Sequence, residues 1–61
     1  MITIDDAVRN VGNTIVIRTH DDVMCVGVLT TVYADGTIEI IDDREDDHWM
    51  TVDAIAAMAV I

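Results

Sequence analysis

Tyr33, Arg44, His48 and Trp49 are the side chains of this sequence that could stack on a nucleobase or meet a phosphate. Trp49 has a competing role, because a lone Trp in a small β-protein commonly fills the barrel or a subunit interface, and that is the role expected of it. Around His48, the run Asp42-Asp43-Arg44-Glu45-Asp46-Asp47-His48 gathers carboxylates and an imidazole. It does not follow the Asp-x-Asp-x-Asp-Gly pattern of a calcium loop, and Arg44 in its middle opposes a cation. It is therefore read as a solvated loop with no metal bound. Asp42, Asp43, Asp46 and Asp47 are the surface it offers to a basic protein partner. His20 beside Asp21 and Asp22 has the elements of an acid–base pair, but neither a nucleophile nor a glycine-rich phosphate cradle accompanies it. Cys25 sits in an apolar run, which predicts a buried, inert thiol. A single cysteine excludes an internal disulfide, and no Cys/His zinc spacing exists. No cofactor and no enzymatic activity are expected.

The elements that must hold these residues are mostly strands. Thr3-Ile4-Asp5-Asp6 opens a helix over about residues 4–11, with Thr3 as its cap and Asp6 at the capping-box position. Ile4, Ala7, Val8 and Val11 share a face at helical spacing, and Gly12-Asn13 supplies the stop. Thr14 to Thr19 alternates Ile15 and Ile17 against Thr14, Val16 and Arg18. His20-Asp21-Asp22 is a tight turn. Val23 to Tyr33 is a long β-branched run whose central Gly27 predicts a bend, so that one strand serves both halves of a small barrel. Ala34-Asp35-Gly36-Thr37 is a hairpin turn of the Asp-Gly type. Ile38, Ile40 and Ile41 form a third strand, and Trp49 to Asp53 a fourth. Ile55 to Ile61 suits either a buried strand or a helix. Met24, Met50 and Met58 are expected to fill the core or an interface.

Sixty-one residues bound the answer to one domain, 1–61, with the barrel over about residues 14–61. At 6.7 kDa, area scaling predicts a folded surface near 3,900 Å² and about 5,800 Å² hidden on folding. If ~60% of that is apolar, burial contributes on the order of 90 kcal/mol, and ordering the chain costs about the same. Such a monomer is marginal. With neither disulfide nor metal to help, association with another chain is the remaining source of stability. The 52% hydrophobic content agrees, being more than so small an interior can hide.

The surface is strongly acidic, with twelve Asp and Glu against three Arg and no Lys, for a net charge of −9. A field of that sign keeps an apolar small protein soluble and repels phosphate backbones and anionic membranes at long range. No apolar stretch approaches the ~20 residues of a membrane span. The start Met1-Ile2-Thr3-Ile4-Asp5-Asp6 lacks the basic and apolar regions of a signal peptide, so a cytoplasmic location is expected.

A short helix followed by five strands, the second bent at a glycine, resembles the Sm-like family. Gly12 follows the helix, Val16 and Ile17 take the first-strand apolar positions, and Asp21-Asp22 stands where the family turn reads Asp-Gly. Gly27 and Leu29 match the Gly-x-Leu of the bent strand, Ile38 and Ile40 the third strand. Met50, Ile55 and Met58 match the apolar spacing of the family's second motif. The resemblance implies a five-stranded, SH3-type bent barrel that closes into a homo-oligomeric ring, the fourth strand of one copy pairing with the fifth of the next. It also implies single-stranded RNA or DNA as ligand. The family's base pocket is not carried over, however. Its Asp and Asn positions fall on Tyr33 and Thr37, and its Arg-Gly falls on Thr51-Val52. Two function classes follow: a ring binding single-stranded nucleic acid through a different site, and an acidic protein-interaction or assembly module.

Overall fold

The computed structural model describes residues 2–61. It contains helix α1 (Ile4–Arg9) and strands β1 (Thr14–Thr19), β2 (Met24–Val32), β3 (Thr37–Ile41), β4 (Asp47–Thr51) and β5 (Ile55–Val60). A 3-10 turn, Val52–Ala54, joins β4 to β5. The five strands form one antiparallel sheet in the order β4-β3-β2-β1-β5.

β2 makes the sheet a barrel. Its first half pairs with β1, from Met24 opposite Arg18 to Val28 opposite Thr14. Its second half pairs with β3, from Val28 opposite Ile41 to Val32 opposite Ile38, with a register shift between Leu29 and Thr31. Gly27 sits where the two halves fold over one another. A Cβ there would lie 2.5 Å from the Ile41 carbonyl oxygen and 2.7 Å from Ile40 Cγ2. Hydrogen in place of a side chain is what lets β3 approach.

The core is Ala7, Ile15, Ile17, Leu29, Ile38, Ile40, Val52 and Ile55, all buried. Ile15/Ile17 and Ile38/Ile40 obey the period of two expected of half-buried strands. The folded surface is 3947 Å², in line with the size expected from mass alone.

Helix α1 forms through the capping box that the sequence predicts. Asp6 N–H donates to Thr3 Oγ1 (3.2 Å), and Thr3 N–H donates back to Asp6 Oδ2 (3.0 Å). The helix stops at Arg9 rather than near residue 11, and of its apolar face only Ala7 is buried. Ile4, Val8 and Val11 remain exposed, because after one and a half turns the chain leaves the helix to tie Gly12 N–H to the Leu29 carbonyl (2.8 Å). Gly12 and Gly36 take φ of +91°, the left-handed region that glycine enters without strain. Asp22 takes φ of +63° at the turn position where the family has Gly, a conformation Asp tolerates better than most residues.

Two further expectations are corrected, and one left open is resolved. The acidic loop ends at residue 46, and Asp47 and His48 already belong to β4. The fourth strand ends at Thr51, and Val52 turns inward at the start of the 3-10 turn to join the core. Ile55–Val60, which suited either strand or helix, is a strand, because β1 offers it an antiparallel partner from Ile15 to Thr19, with a register shift between Arg18 and Thr19.

Candidate functional site

The candidate site lies on the β3–β4 hairpin, and Asp42 organises it. Its Oδ1 accepts the backbone N–H groups of Arg44 (2.9 Å) and Asp46 (3.0 Å), and Asp42 N–H donates to the Asp46 carbonyl (3.1 Å). Glu45, at φ of +64°, completes the reversal. His48 Nε2 lies 2.7 Å from Asp42 Oδ2. A carboxylate can only accept, so Nε2 carries the proton. The bond from His48, and then those from the loop backbone, hold the Asp42 carboxyl below the usual carboxylate range.

Asp42 is therefore a turn residue as much as a docking residue. Its carboxylate is engaged within the loop, whereas Asp43, Asp46 and Asp47 are exposed. Because its folded-state pKa is depressed, the stability it contributes is fully present above the ordinary value of 3.8. That stability is lost as pH falls through the depressed value. Asp42→Asn is accordingly expected to melt at a lower temperature than the parent at pH 7. The gap should close as both are taken to pH 2, and a gap that does not change with pH would show that the charge is irrelevant.

Trp49 sits on the outer face of β4, opposite Glu39 of β3. It does not plug the barrel: it is 64% exposed. Its indole N–H donates to Glu39 Oε2 (2.8 Å), while Glu39 Oε1 accepts from Thr30 Oγ1 (2.8 Å). The indole is thus held at the surface by a half-buried carboxylate that itself accepts from Thr30 of β2. Glu39 is the positioning residue that the sequence alone does not single out. It becomes visible only once the hairpin register is known.

The four stacking and phosphate candidates do not converge. The exposed Arg44 lies in the turn beyond the end of the β3–β4 ladder where Ile41 faces Asp47. His48 pairs one step in from that end, opposite Ile40, and Trp49 sits at the middle of the ladder, opposite Glu39. Tyr33 lies just past β2, beside the opposite end of β3, its N–H bonded to the Thr37 carbonyl (2.8 Å). Four residue steps along β3 separate the two ends by about 13 Å. Among the described residues Arg44 has no carboxylate partner, whereas Arg9 pairs with Asp6 (2.7 Å) and Arg18 with Asp22 (3.3 Å).

Cys25 is half-buried rather than buried. Burial, and then the nearby Asp42 charge, push its thiol up, away from the thiolate that nucleophilic attack needs. Met50 and Met58 pack on the core as expected, but Met24 is 59% exposed. His20 is an exposed turn residue whose N–H donates to the Ala54 carbonyl (3.1 Å). Among the described residues no group of His, Cys, Asp and Glu is arranged to hold a metal ion, and no helix is long and apolar enough to cross a membrane.

The sheet also presents two free edges. Val52 N–H bonds to Gly36 and Asp42 N–H to Asp46, so by antiparallel alternation Met50 and His48 bond to β3. The backbone groups of Asp47, Trp49 and Thr51 then face outward. On β5, Ile61 N–H bonds to the Thr14 carbonyl (3.0 Å), which leaves those of Met58 and Val60 facing outward.

No protein-family model and no curated protein matches the sequence. The fold is similar to a chain in the structure describing activation of the Dcp1:Dcp2 mRNA decapping complex by Edc3 and Scd6. The TM-score is 0.77 at 11% sequence identity. The similarity covers 100% of this chain, which spans 62% of the length of that one. A likeness at that identity establishes the architecture: a small barrel of five antiparallel strands with a short helix.

Proposed function

We propose that this chain is an acidic protein-interaction module that assembles by adding β5 of one copy to β4 of the next. The observation that carries the reading is the pair of free, unguarded edges at the two ends of the strand order. Neither edge has a proline or a lysine, the devices that commonly block pairing, and β5 carries no charge at all. Pairing two different edges is a head-to-tail contact, which closes into a ring when the rotation between copies permits. Such pairing also covers the exposed Val60 and Ile61 and supplies the stability a marginal 61-residue domain lacks. The exposed Asp43, Asp46 and Asp47 would then repeat around the assembly as a surface for a basic protein. The reading needs no catalytic residue and no cofactor, and it takes a cytoplasmic setting. The similarity to a chain from an mRNA decapping complex, itself an assembly of proteins, supports it and suggests RNA-handling machinery as its context.

Sedimentation velocity tests the assembly. The parent is expected to sediment as a species several times the 6.7 kDa monomer. Val60→Pro removes a donor that faces the free edge and spares the bonds to β1, so it is expected to shift the protein to monomer while the barrel stays folded. A parent that remains monomeric at ~100 µM, well above the ~1 µM scale of a specific association, removes the proposal.

A second reading, binding of single-stranded RNA or DNA, is favoured by the exposed indole of Trp49 on the hairpin that also bears Arg44. Under it, oligo-U or oligo-A anisotropy should rise at low salt and fall as salt increases, with Arg44→Ala weakening the response. The charge of −9 and the separation of Tyr33 from Arg44 favour the first reading.

A further inference from the structure

A cleft of about 510 Å³ opens between the first half of β2 and the β3–β4 hairpin. It arises from the lengths of the strands. β3 ends at Ile41, opposite Val28, whereas β2 begins at Met24. Met24, Cys25 and Val26 thus pair with β1 on one side and have no strand on the other. Val23, Met24 and Val26 line the cleft, all close to half exposed or more, and Trp49 faces them from β4. Asp42 and Asp47 stand in the lining, which contains no arginine.

We infer that this cleft docks an extended peptide segment that alternates apolar and basic residues. Three observations choose that occupant. The unpaired stretch of β2 offers backbone groups to an added strand, the usual basis of peptide recognition at a sheet edge. The exposed valines and Met24 accept apolar side chains on one face of that strand. The exposed Asp47 carboxylate in the lining, on a chain of net −9, selects lysine or arginine for the side chains between the apolar ones. Trp49 adds an anchor, since Glu39 already holds its indole and no side-chain ordering is needed when a cation settles over the ring. A second copy of the chain is the wrong occupant for this cleft, because its free strand β5 carries no lysine or arginine to meet the carboxylates of the lining. The inference deepens the protein-interaction reading and rests on it, by naming the chemistry of the partner.

Trp49 is the single Trp of the chain, so its emission reports the cleft directly. The probe is a synthetic nonapeptide alternating valine and lysine, compared with one carrying glutamate for lysine and one carrying serine for valine. The valine–lysine peptide is expected to shift Trp49 emission to the blue and to bind at least ~10-fold more tightly than either control, a difference of about 1.4 kcal/mol. Val26→Arg, which sets a cation in the cleft, should weaken binding by a similar factor. Val23→Arg serves if that variant does not fold. Equal binding of the three peptides, no emission change, or a parent-like response from the folded arginine variants overturns the inference. So does oligo-U producing the same shift and displacing the peptide, which would assign the cleft to nucleic acid. Sedimentation of the same samples separates the outcomes. A ring that assembles but ignores the peptides leaves edge pairing intact and sinks only the cleft.

Discussion

Gly27→Ala is expected to lower the melting temperature by about 12–24 °C, taking a cost of about 3 kcal/mol at ~4–8 °C per kcal/mol for a domain of this size. The cause is backbone rather than side-chain crowding. The added carbon would lie 2.5 Å from the Ile41 carbonyl oxygen and 2.9 Å from its carbon, and both belong to a strand held in the sheet. Ile40 Cγ2, at 2.7 Å, has no room to yield because Ile40 is itself fully buried. β3 must therefore move away from β2 at the place where β2 changes partners. Since the β3–β4 hairpin is carried by β3, the variant should also widen the cleft and disturb the setting of Trp49. Circular dichroism melting provides the test. A loss below ~3 °C, less than 1 kcal/mol on the same scale, would show that the strand crossing relaxes without strain.

Leu29→Ala is expected to destabilise the fold by about 3 kcal/mol, within the range for emptying a fully buried leucine site. Leu29 joins three parts of the molecule. Its side chain is fully buried in the barrel core. Its carbonyl accepts from Gly12 (2.8 Å), and its N–H donates to the Asn13 carbonyl (3.1 Å), so the segment after the helix is fastened at the same residue. Those backbone bonds survive the substitution, and the loss measures packing alone. The neighbouring Val28, 37% exposed on the other face, provides the comparison, since Val28→Ala should cost less than ~1 kcal/mol. Denaturant unfolding of the two variants decides it. Equal losses would mean that the inward and outward faces of β2 have been misassigned.

Much of this architecture was legible in local patterns. Thr3 and Asp6 announce the capping box, Asp35-Gly36 the hairpin, and the pairs Ile15/Ile17 and Ile38/Ile40 the inward faces of two strands. Each signal involves residues within a few positions of one another, and each is enforced by a local cause: an orphan N–H, a positive φ, or the two-residue period of a strand. Gly27 was legible as a bend for the same reason, although what it makes room for, the Ile41 carbonyl, lies fourteen positions away.

The start of β4 was not legible. Asp47 and His48 are polar, so side-chain pattern assigns them to the loop, but a strand is held by backbone bonds, and the 42–46 turn closed by Asp42 places them in the ladder. The sequence left the place of Trp49 open between a barrel plug, a subunit interface and a stacking surface. An indole is a favoured core residue in a small barrel, and only the register that sets it opposite Glu39, on the outer face, keeps it at the surface.

The chemistry-bearing residues Tyr33, Arg44, His48 and Trp49 show the same division. Their types and their acidic surroundings are determined by the sequence, because composition and local period depend on no long-range contact. Whether Tyr33 and Arg44 stand together was decided by the tertiary structure, which puts them beyond opposite ends of β3. The same is true of the free edges and of the cleft beside Trp49. All of these follow from which strands pair and in what register, and register is fixed by the packing of the whole core, not by any single segment.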